Sequence, residues 1–157
     1  MTKNIGIFLD RDGVINRVIF RNGLPASPRR IEEFIICEKV GDVLERFRKE
    51  GFLNIIVTNQ PDIARGFMDE KVLNEMHRII KEKLPVNDIF VCPHDDADNC
   101  QCRKPKPGMI LEAGRKWNID LGQSYMIGDS FKDMEAGKKA GCKTILILTD
   151  YNKGAEG

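Results

Sequence analysis

Ile5-Gly6-Ile7-Phe8-Leu9-Asp10-Arg11-Asp12-Gly13 is a compact apolar run that stops on two carboxylates and a glycine. A short apolar run with turn residues behind it suits a strand buried on both faces of a parallel sheet. The pattern returns at Phe52 to Val57, followed by Thr58-Asn59-Gln60, and at Ile89 to Val91. It returns again at Tyr125 to Ile127, followed by Gly128-Asp129, and at Thr144 to Leu148. Helical spacing fills most of the intervals. Asp42 to Glu50 carries Val43, Leu44 and Phe47, with Gly51 behind as a stop. Asp69 can cap a helix bearing Val72, Leu73, Met76, Ile79 and Ile80, which Pro85 ends. Pro107 to Trp117 has Ile110, Leu111 and Trp117 on one side, and Ser130 to Ala140 carries Phe131, Met134 and Ala140. This alternation predicts an α/β fold, a doubly wound, Rossmann-like parallel sheet, in a single domain over residues 1–157. No long insertion follows the first or second strand, so no separate cap domain is expected. Arg17 to Cys37 and Cys92 to Pro107 are irregular, and loops of that length are expected to border the active site.

Composition narrows the function classes. The chain has 157 residues, 41% hydrophobic and 31% charged, the balance of a globular protein. Lys and Arg number 25 against 24 Asp and Glu, which argues against a nucleic-acid partner held by a broad basic field. No apolar run approaches the roughly 20 residues of a membrane span. Met1-Thr2-Lys3-Asn4 leads into the first strand without a signal-peptide layout, so a cytoplasmic location and no membrane partner are expected. His77 reads as a plain helix residue, and Cys37 and Cys142 as small buried hydrophobes.

Asp10 and Asp12 stand at the carboxyl end of the first strand, where open parallel sheets bind ligands. In extended chain, residues two apart point to one side. One carboxylate can attack phosphorus while the other handles a proton. Two carboxylates so close repel unless a cation lies between them, and Asp129 can complete a hard-oxygen site for Mg²⁺. Alone, Asp-x-Asp-Gly is also an ordinary turn. Thr58 and Asn59 supply a hydroxyl and an amide suited to phosphate oxygens, and Lys104 a point charge for the same group.

These four motifs, Asp10-x-Asp12-Gly13, Thr58-Asn59, Lys104 and Gly128-Asp129, resemble in order and spacing those of the haloacid dehalogenase-like phosphatases. The resemblance covers about Ile5 to Leu148. It implies a nucleophilic Asp10, an acid/base Asp12, and Mg²⁺ held by the side chains of Asp10 and Asp129 and the carbonyl of Asp12. It also implies strand order 5-4-1-2-3.

Cys92-Pro93-His94, five residues, then Cys100-Gln101-Cys102 gathers three of the five cysteines beside one of the two histidines. Three thiolates and an imidazole make a closed tetrahedral Zn²⁺ site of structural type. Disulfides and an iron–sulfur cluster are weaker competitors. Arg103 and Lys104 follow at once, so a metal that fixes Cys102 also fixes where Lys104 points. With Cys-Arg-Lys-Pro behind it, this loop resembles that of two related families, the heptose 1,7-bisphosphate phosphatases and the histidinol phosphatases. The wording Thr58 to Gly66 and Lys106-Pro107-Gly108-Met109 looks more like the former, although Ser130 stands where that group often has lysine.

A sugar bisphosphate needs cations for its second phosphate. Arg17, Arg21, Arg29 and Arg30 lie in the first irregular loop, and Arg65 and Arg103 beside the motifs. Histidinol phosphate instead wants a carboxylate for its amine, which Asp95, Asp96 or Asp98 could supply, although they also read as a solvated acidic loop. A small phosphorylated metabolite is thus the expected partner, most readily a heptose bisphosphate, acted on by a monomer. Competing readings are a non-catalytic zinc-stabilised interaction module and a nucleic-acid end-processing phosphatase. The intact aspartates count against the first, and the neutral charge against the second.

Overall fold

The computed structural model describes residues 2–152; Met1 and residues 153–157, which the expected domain includes, lie outside the described residues. Five parallel strands form the central sheet: β1 (Gly6–Leu9), β4 (Leu53–Asn59), β5 (Asp88–Cys92), β6 (Tyr125–Gly128) and β7 (Lys143–Leu146). Their order is β5-β4-β1-β6-β7. Counted over these five strands alone, it is the expected 5-4-1-2-3 read from the opposite edge. The remaining strands, β2 (Ile19–Arg21) and β3 (Leu24–Ala26), pair antiparallel as a separate hairpin. They lie inside Arg17 to Cys37, which the sequence reading leaves irregular. Strands of three residues are too short to show a period.

Helices α1 (Val40–Lys49) and α2 (Glu70–Lys83) cover one face of the sheet, and α3 (Gly108–Lys116) and α4 (Phe131–Lys139) the other. The two-residue period of β1 does the sorting. Ile7 and Leu9 pack with Leu44, Ile80 and Leu84 from the first helix pair. Phe8 packs with Ile110, Ala113 and Ala136 from the second. Each fully buried side chain of this kind contributes roughly 1.5–3 kcal/mol.

Three apolar residues assigned to helix faces point elsewhere, one of them Leu111, which is 36% exposed beside a buried Ile110. Val43 is 44% exposed beside a fully buried Leu44, because neighbours on a helix are about a quarter-turn apart and cannot both face the sheet. Phe131 is 56% exposed in the first turn of α4, where it lines the cleft described below. Caps fix two helix starts: Asp69 accepts from Lys71 N at 2.8 Å, and Ser130 forms a reciprocal capping box with Asp133. Among the described residues no helix is long and apolar enough to cross a membrane.

Candidate active site

The sheet reverses direction of winding between β1 and β6, and both strands deliver a carboxylate there: Asp10 after β1 and Asp129 after β6. A cleft of about 920 Å³ opens over this point, with Asp10, Asp12, Asn59, Lys104 and Asp129 in its wall.

Lys104 enters from the loop after β5 and is nearly fully buried. Its Nζ donates to Asp10 Oδ1 at 2.8 Å, Asp133 Oδ1 at 2.7 Å and Val57 O at 2.8 Å, which uses all three ammonium protons. Burial alone would discharge this lysine, but Asp10 and Asp133 outweigh it and raise its pKa. Asp10 lies on the other side of that balance. Burial raises its carboxyl well above the ordinary range; Lys104 opposes, and Asp133, Asp129 and Asp12 add to the rise. Asp129 is raised too, chiefly by burial, against a hydrogen bond from Tyr151.

Asp133 was not singled out from the sequence, although Ser130-x-x-Asp133 is a readable capping signal. Its Oδ2 accepts from the backbone N–H groups of Asp129 and Ser130, each at 3.2 Å, and from Ser130 Oγ at 3.0 Å. Gly128 makes room for it, since a Cβ there would lie 2.3 Å from Asp133 Oδ2. Ser130 therefore serves the start of α4, while Lys132 lines the cleft two residues on.

Asp12 lives in different surroundings. Its Oδ1 accepts from Arg11 Nε at 3.1 Å, Arg11 Nη2 at 2.7 Å and Asn16 Nδ2 at 2.9 Å. Its Oδ2 accepts from Ser27 Oγ at 2.5 Å and Gln60 Nε2 at 2.9 Å. Burial pushes this carboxyl up, yet Arg11 and the hydrogen bonds from Ser27 and Asn16 bring it below its ordinary value. Arg11 is itself fully buried, with Phe34 under its guanidinium at 5.4 Å and His77 Nε2 at 3.1 Å from Nη1. Burial and the Arg11 charge pull His77 down to about 3, so the ring is neutral and can accept at Nε2. His77, expected to be a plain helix residue, thus backs the Asp12 site.

Thr58 and Asn59 end β4 as supports. Thr58 is fully buried, accepts from Gln60 Nε2 at 3.0 Å and does not line the cleft. Asn59 grips the Lys104 backbone from both sides, accepting from its N–H at 3.0 Å and donating to its carbonyl at 3.1 Å. Two further residues come from beyond the last strand, where no motif marked them. Tyr151 donates to Asp129 Oδ2, and Asn152 Nδ2 donates to Asp129 O at 2.8 Å.

Cys92 ends β5, and its Sγ lies 3.5 Å from both His94 Nδ1 and Cys100 Sγ; Cys102 Sγ is 3.3 Å from His94 Nδ1. The four ligand atoms are all within 4.8 Å of one another. That spacing suits one ion with Zn–S near 2.3 Å and Zn–N near 2.0–2.1 Å, and the donors suit a soft cation. Asp10, Asp129 and Asp133 form a second such group. Asp10 and Asp133 share one ammonium, and Asp133 has both oxygens engaged. The residual negative charge and oxygen donors of Asp10 and Asp129 fit a hard divalent ion. Cys142 is buried as expected, whereas Cys37 is only partly buried.

The cations at the rim are mostly paired. Arg65 binds Asp95 through bonds of 2.7 and 2.9 Å, and Arg103 Nε donates to Asp96 at 2.7 Å. Arg29 pairs with Asp62 at 2.9 Å, and Arg21 donates to Ser27 O at 2.8 Å. All four line the cleft, while Arg17 and Arg30 are exposed and do not.

Known proteins give the arrangement a family. A HAD-hydrolase-like family model matches residues 101–157. A D-glycero-α-D-manno-heptose-1,7-bisphosphate 7-phosphatase of Photorhabdus laumondii is 42% identical over 157 residues, covering 92% of this chain and 82% of that protein. A D-glycero-β-D-manno-heptose-1,7-bisphosphate 7-phosphatase of Neisseria meningitidis is 38% identical, covering 94% of this chain and 79% of that protein. The crystal structure of D,D-heptose 1,7-bisphosphate phosphatase from B. bronchiseptica, complexed with magnesium and phosphate, superposes with a TM-score of 0.84 at 32% identity. It covers 98% of this chain and 87% of that one. With this identity along nearly the whole chain, and the aspartates gathered at the switch of the sheet, the chain belongs to the heptose-1,7-bisphosphate 7-phosphatase family of HAD-like hydrolases.

Proposed function

We propose that this protein is a Mg²⁺-dependent phosphatase that removes the 7-phosphate of D-glycero-D-manno-heptose 1,7-bisphosphate through an aspartyl-phosphate on Asp10. The observation that carries this reading is the shared site of Asp10, Lys104, Asp129 and Asp133 at the mouth of the cleft, in a chain of this family. Lys104 Nζ and the Arg11 N–H both hold Asp10 Oδ1, each at 2.8 Å, which fixes the carboxylate for in-line attack. Asp10 forms a bond to phosphorus as the phosphorus–ester oxygen bond breaks, and the leaving oxygen takes a proton from Asp12. Water then attacks phosphorus, gives its proton to Asp12 and releases phosphate and Asp10. Bound Mg²⁺, held by the side chains of Asp10 and Asp129 and the carbonyl of Asp12, supplies charge neutralisation at the phosphoryl group.

Asp12 carries that proton only if a neighbour yields to it. Ser27 Oγ is a hydroxyl and can turn from donor to acceptor. Gln60 Oε1 is buried without a partner among the described residues, so rotating the amide presents an acceptor to a protonated Asp12. Zn²⁺ on Cys92, His94, Cys100 and Cys102 braces the loop that delivers Lys104. Arg65 and Arg103 take the second phosphate by exchanging their carboxylate partners for it, with bidentate geometry to offer. The enzyme acts as a cytoplasmic monomer on a small metabolite, with no nucleic-acid or membrane partner.

Side-by-side kinetics test the substrate. kcat/KM should be higher for heptose 1,7-bisphosphate, in one or both anomers, than for histidinol phosphate, with phosphorus NMR showing loss of the 7-phosphate. A reversed preference moves the protein to histidinol phosphate.

A further inference from the structure

The chain beyond β7 returns to the metal-binding carboxylate. Asn152 Nδ2 donates to Asp129 O and, at 2.9 Å, to Ile147 O, while its own Oδ1 accepts from Thr149 N at 2.7 Å. This ring of bonds folds the segment 149–152 back over the end of β6 and sets Tyr151 against Asp129. The phenol donates to Asp129 Oδ2, and Phe20 of the β2–β3 hairpin meets the Tyr151 ring edge-on, with centroids 6.2 Å apart. Tyr151 also touches the turn after Asp12. A Cβ built on Gly13 would lie 2.5 Å from the Tyr151 hydroxyl and 2.0 Å from Asp129 Oδ2. Gly13 has φ +88°, so this turn both needs glycine and brings its backbone against the phenol and the carboxylate.

A carboxylate on a turn can rotate about two side-chain bonds. One that must present an oxygen to a cation gains from having the other oxygen held, because the ordering is then complete before the ion arrives. Tyr151 holds Oδ2, and Asn152 holds the same residue's carbonyl. A carboxylate oxygen of Asp129 lies within 4.8 Å of one from Asp10, close enough for both residues to hold one ion.

We propose that Tyr151 is a positioning residue for Mg²⁺: its hydroxyl fixes the Asp129 carboxylate and thereby strengthens metal binding, without touching substrate. This rests on the reading of Asp10 and Asp129 as the Mg²⁺ ligands. Phe20, packed on the ring, keeps the phenol over the carboxylate and ties the hairpin to the metal site. Residues 149–152 thus serve the metal site.

The test is calorimetric titration of MgCl₂ into the substrate-free, zinc-loaded protein, with kcat measured across Mg²⁺ concentration as a second readout. Tyr151→Phe keeps the ring and its contact with Phe20 and deletes only the hydroxyl. It should bind Mg²⁺ about 10-fold or more weaker, the usual effect of removing a hydrogen-bond partner from a metal ligand, and recover the parental kcat at saturating Mg²⁺. Asp129→Asn should lose measurable Mg²⁺ binding. If Tyr151→Phe binds Mg²⁺ as tightly as the parent, or tighter, the proposal is overturned. It is also overturned if kcat stays low at saturating metal, since the phenol would then act on the chemistry. If Asp129→Asn binds Mg²⁺ like the parent, it is the assignment of the metal ligands that fails. Should Tyr151→Phe lose cooperative unfolding, Asn152→Ala carries the test with the same expected sign.

Discussion

Asp10 and Asp12 are two residues apart, yet the structure treats them as opposites. Asp10 is crowded by Asp129 and Asp133, shares one ammonium with Asp133, and has its carboxyl driven up. Asp12 is ringed by donors from Arg11, Asn16, Ser27 and Gln60 and has its carboxyl brought down. Environments that push neighbouring titratable groups apart are the usual mark of divided labour in an active site. The contrast also shows which half the chain finishes by itself. Around Asp12 the protein supplies the compensating charge, in a buried arginine. Around Asp10 it supplies one ammonium, that of Lys104, which Asp133 shares, and in the proposed reading a divalent cation completes the balance.

The largest effect should come from exchanging the carboxylates one at a time. Asp10→Asn should lower kcat on the order of 10⁴-fold or more, because an amide cannot form the covalent intermediate. Asp12→Asn should lose about 10²–10⁴-fold, the worth of proton transfer. Rapid-quench detection of the phosphorylated enzyme separates them: Asp12→Asn should still form it and Asp10→Asn should not. Equal losses with no covalent species in either would erase the division.

A smaller effect, confined to the Asp10 side, is expected from the zinc loop. Brief EDTA treatment should stop turnover, and Mg²⁺ should restore it. Cys102→Ser should lose zinc and activity, roughly 10–100-fold, in a way that Mg²⁺ does not rescue. Elemental analysis beside kinetics checks this, and a zinc-free variant with parental turnover would make the cluster a bystander.

The mildest test concerns His77, behind Asp12. The folded protein holds it neutral down to about 3, whereas an unfolded histidine protonates near 6.5. The unfolded chain therefore binds the extra proton between these values. The resulting stability is complete above 6.5 and is lost as pH falls towards 3. His77→Gln removes this dependence, so urea unfolding between pH 7 and 5 should show parent and variant converging by at most about 1.4 kcal/mol per pH unit. Parallel pH curves would mean that His77 is not held neutral.

What the sequence made legible follows the same divide. The Asp10 side was readable because parallel strands display their terminal residues at one edge, so Asp10, Lys104 and Asp129 could be placed together from strand ends and spacing alone. Cys92, His94, Cys100 and Cys102 were readable because they are close in the chain and chemically unusual there. The Asp12 side was not. Arg11 meets His77 across 66 positions and Asp12 meets Gln60 across 48, and no local period encodes such pairs. Thr58, expected to meet phosphate from its place at a strand end, is buried and accepts from Gln60, a partner 2 residues on that the strand pattern does not announce. Tyr151 escaped for a plainer reason: it follows the last strand, and only the return of the chain brings it to Asp129.

The grip of Asn59 on the Lys104 backbone has a consequence for how far the zinc loop can vary. A side-chain amide that bonds both the N–H and the C=O of one residue copies the two-bond ring between paired strand residues, so Lys104 is stitched to β4 as if it were sheet. Its conformational freedom is lost once, when the chain folds, and not again in each catalytic cycle. The stretch between His94 and Cys100 is a loop that a Zn²⁺ on those residues would close, and it lies outside the amide pair. Loop-closure entropy rises only about 0.6 kcal/mol per doubling of length. Lengthening that stretch should therefore cost little in closure entropy and leave the ammonium in place, while the pairs of Asp95 with Arg65 and Asp96 with Arg103 limit where it can change.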